Sequence, residues 1–413
     1  MKTLLRKALL VLIVSSGCAT ISGQNSTDYT LPDPLLMEDG REIKTSSEWT
    51  QIRRPEILES FENNVYGKAP KPSKDMHFSI LTEDKQALGG KATRKEVAVY
   101  FTKSKDNYMT VLLYIPNQRN GRVPIFFGLN FDGNHAVSKE EGVAIVRIQS
   151  KSSTDMPTIP ARGAESSRWP IEMLIENGYG LATVYRGDID PDYDDGFRNG
   201  VHPLFYSNGQ EKPEADEWGT VAAWAFGLSC AMNYFEVDKD IDAKQVAVIG
   251  HSRLGKATLW AGAIDERFAM VISNDSGCGG AALSRRKIGE TVSAINKNFP
   301  YWFCDNFKQF NDREDFLPVD QHQLIALIAP RPVYVASAEE DQWADPEGEF
   351  LSAYHASPVY ELFGLKGLPK EMPKLSQPEM QGHIGYHIRP GKHDITGYDW
   401  EQYIKFADKF FKK

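Results

Sequence analysis

The chain has 413 residues, of which 41% are hydrophobic and 25% charged, the make-up of a globular protein and not of a disordered or collagen-like one. A net charge of −9 argues against nucleic acid as a partner, because that needs a basic face. The chain starts with Lys2, Arg6 and Lys7, an apolar run over 8–14 and the small residues Ser15, Ser16, Gly17, Cys18 and Ala19. The run is too short to span a bilayer, and residues 1–23 read as a secretory signal, leaving 24–413 as one catalytic domain with an N-terminal extension. Two processing routes stay open. Cys18 after Ser-Gly fits a bacterial lipoprotein site with its lipid anchor, although Ser15 stands where leucine is usual. Cleavage near Ala19 or Gly23 would instead release a soluble exported protein. Periplasm, outer membrane and exterior are the expected locations, and a monomer is expected.

Residues 24–35 are polar, with Pro32 and Pro34, and read as a loose leader. Residues 49–66 read as a helix, with Ile52, Ile57, Leu58, Phe61 and Val65 as its apolar stripe and Gly67, Pro70 and Pro72 as its stop. Alternation over 96–101 and 108–115 predicts a hairpin, followed by a strand over 123–131. A proline-bearing loop spans 150–167, then a short helix 170–176 and a strand 180–185. That strand runs into Arg186-Gly187-Asp188-Ile189-Asp190, within a stretch over 186–216 expected at the rim of the site. An apolar helix follows over 217–235. Further strands are predicted at 246–250, 268–273, 332–336 and 385–388. The helices between and after them cover 256–263, 322–328, 346–355 and 399–411. Strands alternating with helices predict a mostly parallel sheet covered on both faces, a three-layer α/β sandwich, with the hairpin as its antiparallel edge. Sites in such sheets lie beyond the carboxyl ends of strands. Ser252, Asp275, Asp341 and His393 each fall just past a predicted strand end.

The most informative stretch is Val246-Ala247-Val248-Ile249-Gly250-His251-Ser252-Arg253-Leu254-Gly255-Lys256. A strand, a sharp turn with serine at the apex and a helix form the nucleophile elbow of the α/β-hydrolase fold. One feature departs from the usual pattern: Leu254 stands two residues after the serine, and glycine comes only at 255. A serine hydroxyl needs a base, and the base needs an orienting carboxylate. Of nine histidines, His393 follows the last strand in the chain order this fold uses. His387 falls inside a strand, where a structural role is expected, and His251 is expected to be held in the turn. Asp341 and Asp275 both compete for the acid, with Asp341 preferred for its place in the fold. The backbone N–H of Arg253 is the expected oxyanion donor. Its guanidinium is unfavourable at a helix start on structural grounds, which favours a functional role. Cys230 reads as a buried hydrophobe, and export permits a Cys278–Cys304 disulfide. The sequence shows no His/Cys cluster at zinc spacing, so neither metal nor cofactor is expected.

Ser252-Arg253-Leu254-Gly255-Lys256 resembles the signature of the glucuronoyl esterases, carbohydrate esterase family 15, in their bacterial form. Asp275-Ser276-Gly277-Cys278-Gly279-Gly280, Phe299-Pro300-Tyr301-Trp302-Phe303, Asp341-Gln342-Trp343-Ala344-Asp345-Pro346 and Gly391-Lys392-His393 extend the likeness over nearly all of the mature chain. The resemblance implies a serine esterase that cleaves the ester joining 4-O-methyl-glucuronic acid of glucuronoxylan to lignin alcohols. It implies Ser252 as nucleophile, His393 as base and Arg253 as oxyanion arginine. Lys256, Glu290 and Trp343 would hold the sugar. Without it, these three read as a solvated lysine, a surface glutamate and a core tryptophan. Many family members carry glutamate where this chain has Asp275, and some use an aspartate at the place of Asp341. An acetylxylan-type or general carboxylesterase on the same fold, and an inactive carbohydrate-binding homologue, are the alternatives.

Overall fold

The computed structural model describes residues 29–146 and 158–412. The expected signal segment over 1–23, Cys18 and part of the 150–167 loop lie outside them. Among the described residues, nine strands form one sheet: β1 His77–Ala87, β2 Ala92–Tyr100, β3 Tyr108–Pro116, β4 Val123–Asn130, β5 Gly180–Tyr185, β6 Ile241–His251, β7 Met270–Asn274, β8 Val333–Ala338 and β9 Ile384–Arg389. Their order is β1-β2-β3-β5-β4-β6-β7-β8-β9. β1, β2 and β3 run antiparallel to their neighbours, and every pairing from β5 to β9 is parallel.

The alternation of each strand decides which layer it feeds. On β6, Val246 and Val248 face the helices Thr220–Phe235 and Arg253–Ile264. Ala247 and Ile249 face Ile171–Glu176 and Gly397–Phe411 on the other side. The predicted N-terminal helix reaches from Ser46 to Tyr66, with wider turns on either side of Arg54–Phe61. β1 was not legible: its run His-Phe-Ser-Ile-Leu-Thr-Glu-Asp-Lys-Gln-Ala is largely exposed. Charged residues on an edge strand discourage pairing with another chain and also hide the apolar alternation.

The expected Cys278–Cys304 disulfide is not formed; both thiols are free and buried. The room between their loops is occupied. The Phe303 ring packs so closely on Gly279 that a Cβ there would lie 2.4 Å from it, and the Tyr66 hydroxyl donates to the Gly279 carbonyl at 2.9 Å. Cys230 is buried in the helix Thr220–Phe235, as expected.

Candidate active site

Ser252 caps the helix Arg253–Ile264 with φ 57° and ψ −132°. A non-glycine residue in that region costs about 1–3 kcal/mol, so the packing around it must hold it there. Gly250 is part of that packing, because a Cβ would fall 2.2 Å from the Leu254 carbonyl oxygen. The position of the second glycine also follows. Leu254 is buried in the core, whereas a Cβ at Gly255 would press on Ser276 at 2.9 Å. The close approach falls one residue later than in the usual elbow.

All eight residues singled out from the sequence line one cavity of about 290 Å³: Ser252, Arg253, Lys256, Asp275, Glu290, Asp341, Trp343 and His393. His393 Nδ1 lies 2.5 Å from Asp341 Oδ2, which leaves Nε2 for proton transfer. The imidazole also packs on the His251 ring, 4.6 Å between centroids. His251 is fixed by Asn274 at 2.6 Å. Burial, with His393 beside it, holds the His251 imidazole well below its usual range and therefore neutral.

Asp275 stands next to this pair but does not bond the histidine. Its Oδ1 accepts from the Ala338 N–H at 2.7 Å, and its Oδ2 accepts weakly from Arg389 and from the Asp394 N–H at 3.5 and 3.4 Å. Burial first, and then Glu349, push its carboxyl well above the carboxylate range against the pull of Arg389. Ligand atoms of Asp275, Asp341 and His393 all lie within 4.8 Å of one another.

Lys256 is not a solvated lysine and Trp343 is not a core tryptophan, the readings they have without the resemblance. Lys256 is 4% exposed, and its ammonium donates to the carbonyls of Ser276 and Cys278 and meets Glu290 at 3.4 Å. Glu290 is half-buried as a residue, with its side chain 9% exposed. Trp343 is the exposed one, at 56%, and its carbonyl accepts the Glu290 N–H. A partly buried ion pair therefore forms part of the cavity wall, with the exposed Trp343 indole at its edge.

Four further residues support the site without having been read as functional. Asp192 accepts from Arg253 at 2.7 Å, Trp302 Nε1 at 2.8 Å and the Tyr301 hydroxyl at 3.1 Å, with Arg186 at 3.3 Å. Burial opposes its charge, but Arg186, Arg253 and Trp302 outweigh it and hold the carboxyl below the usual range. Glu349 Oε1 accepts from the Ser276 and Gly277 N–H groups at 2.7 and 2.9 Å. The only sequence signal for it is a glutamate on the buried face of the helix Pro346–His355. Arg389 grips the loop that carries His393 through the carbonyls of Lys392 and Asp394. Asp399 anchors Arg389 at 2.9 Å and His387 at 2.8 Å, which gives His387 the structural role expected of it.

A strained serine at a strand-to-helix turn and a carboxylate-bound histidine past the last strand of this sheet define a serine hydrolase of the α/β-hydrolase fold. The family model described as glucuronyl esterase, fungi, matches residues 199–364. A carbohydrate esterase, MZ0003, of an unknown prokaryotic organism is 52% identical over 389 residues, 92% of this chain and 89% of the relative. A 4-O-methyl-glucuronoyl methylesterase of Phanerochaete carnosa is 25% identical over 85% of this chain and 76% of its own. Among solved structures, the glucuronoyl esterase from Solibacter usitatus superposes with a TM-score of 0.88 at 50% identity, covering 92% of this chain and 97% of that one. A promiscuous family 15 esterase from a marine bacterial metagenome gives 0.84 at 51%, covering 92% and 96%. The chain belongs to the glucuronoyl esterases, carbohydrate esterase family 15, and is a carboxylic ester hydrolase.

Proposed function

We propose that this enzyme hydrolyses esters of glucuronic acid and its 4-O-methyl form, with the acid borne on xylan and the alcohol supplied by lignin. The observation that carries the reading is the single cavity shared by Ser252, the His393–Asp341 pair and the Lys256–Glu290–Trp343 wall. In the first half-reaction His393 Nε2 takes the Ser252 proton as Oγ bonds to the uronoyl carbonyl carbon. The Arg253 N–H and guanidinium face the oxygen that becomes negative. The C–O bond to the alcohol breaks, and the alcohol leaves with the proton held by His393. Water, deprotonated by the same nitrogen, then attacks the acyl-enzyme and releases the free acid and Ser252. Asp341 holds the imidazole tautomer throughout.

The wall supports the uronic acid as the acyl side. Glu290 accepts from sugar hydroxyls, Lys256 stands 3.4 Å from that carboxylate and fixes its place in the wall, and the Trp343 indole offers an apolar face to the pyranose. Residues 1–23 direct export to where such polysaccharide lies, by lipid anchor at Cys18 or as a soluble protein. Turnover of the benzyl ester of glucuronic acid tests the reading. Rapid hydrolysis, abolished in S252A and far faster than release of acetate from acetylated xylan, is expected. A relative described as promiscuous favours a broader carboxylesterase as the second reading, and equal rates on both substrates would establish it.

A further inference from the structure

Resting on the assignment of Arg253 to the oxyanion, we propose that Asp192 is the residue that positions the Arg253 guanidinium. Arg253 opens the helix that follows the nucleophile, where the exposed N–H groups make a cation unfavourable. Something must hold it there, and Asp192 Oδ2 does so at 2.7 Å. That carboxylate is itself fixed, with its side chain 5% exposed and Oδ1 receiving Trp302 Nε1 and the Tyr301 hydroxyl. The Trp302 ring so anchored lies 4.8 Å beneath the guanidinium carbon and stacks on Phe299 at 3.7 Å. One carboxylate thus sets both the hydrogen bond and the aromatic floor that aim Arg253. Asp192 does not line the cavity, so it acts through the arginine. The chemistry also needs Arg253 to remain electrophilic. Arg186, 3.3 Å from the same carboxylate, supplies a second cation, so Asp192 does not neutralise the site.

The test is a double-mutant cycle on benzyl glucuronate with wild type, D192N, R253L and D192N/R253L. Asparagine keeps an acceptor for Trp302 and Tyr301 and loses the charge facing Arg253. D192N is expected to lower kcat about 30-fold, short of the ~10²-fold of a full 1 Å misplacement, with KM changed by less than about twofold because the contact matters only as charge develops. R253L is expected to lose about 10²–10³-fold, and D192N is expected to cost nothing more in that background. D192E, which keeps the charge but moves it by one methylene, is expected to fall between wild type and D192N. An equal loss from D192N with and without Arg253 means a structural role and overturns the proposal, as does a D192N enzyme with wild-type kcat. If D192N gives no cooperative melt, D192E is carried through the same cycle with the same criteria. An R253L enzyme with undiminished kcat would instead refute the oxyanion assignment itself.

Discussion

Exchanging each candidate acid for asparagine separates the two aspartates beside His393. In Asp341→Asn the amide loses the charge that faces Nδ1 at 2.5 Å and can present an N–H to it. The imidazole then carries its proton on Nε2, the nitrogen that must accept one from serine. Loss of an orienting carboxylate in this way costs about 10³–10⁴-fold in kcat, or about 4–5.5 kcal/mol of barrier. Asp275→Asn should behave differently. Its strongest bond, from the Ala338 N–H at 2.7 Å, is one an amide oxygen also accepts. Its other contacts, at 3.4 and 3.5 Å, are long. Burial already drives its carboxyl toward the neutral form, which asparagine imitates. The expected loss is under about tenfold, because no transition-state charge is removed. The assay is kcat and KM on benzyl glucuronate, with the acylation burst followed at high enzyme concentration and melting curves as the fold control. A thousandfold collapse in Asp275→Asn beside a nearly intact Asp341→Asn would refute the reasoning.

Trp343→Ala should raise KM about 2- to 10-fold, the ~0.5–1.5 kcal/mol of a stacking face, while kcat stays near wild type; a loss confined to kcat would contradict a sugar-holding role. Gly250→Ala should fail to hold the elbow, since its Cβ meets backbone at 2.2 Å; a calorimetric melt matching wild type would show that the turn can relax. Glu349→Gln should be stabilising at high pH. Burial lifts the Glu349 carboxyl to about 7 in the fold, above its range in the unfolded chain. The native state therefore holds this proton more tightly, and stability falls as pH rises from about 4.5 through about 7, by up to ~3 kcal/mol. Urea unfolding of both proteins across that window should show a gap that opens with pH and closes below it. A gap independent of pH would exclude this ionisation as its origin.

The layers and eight of the nine strands were legible because each strand is a short run of apolar or β-branched residues closed by a turn signal. β5 and the helix Pro346–His355 begin and end where the sequence places them. β1 escaped because a charged edge strand carries no such alternation. The short helices Val292–Asn298 and Ser357–Leu362 also escaped. In the site, Ser252, His393 and Asp341 could be found from chain order and strand ends, which are local properties. Asp192, Glu349 and Arg389 could not. Asp192 and Glu349 act through partners far along the chain, Arg389 works through a loop whose path only the fold sets, and an aspartate in a run of aspartates over 188–195 gives no hint of which one turns inward. Lys256 and Trp343 show the same limit in reverse, since their exposure is set by neighbours that only the fold supplies.

The coupling of Arg389 to Asp399 has a temporal side. Ribosomes release Ser252 long before they release the imidazole, and the loop bearing that imidazole is tied to an aspartate inside the helix Gly397–Phe411. Until this helix docks, the base in that loop has lost the tie that holds it near Ser252. Hydrolytic competence thereby waits on this helix, and a chain halted before Gly397 should leave a serine-directed fluorophosphonate unreacted.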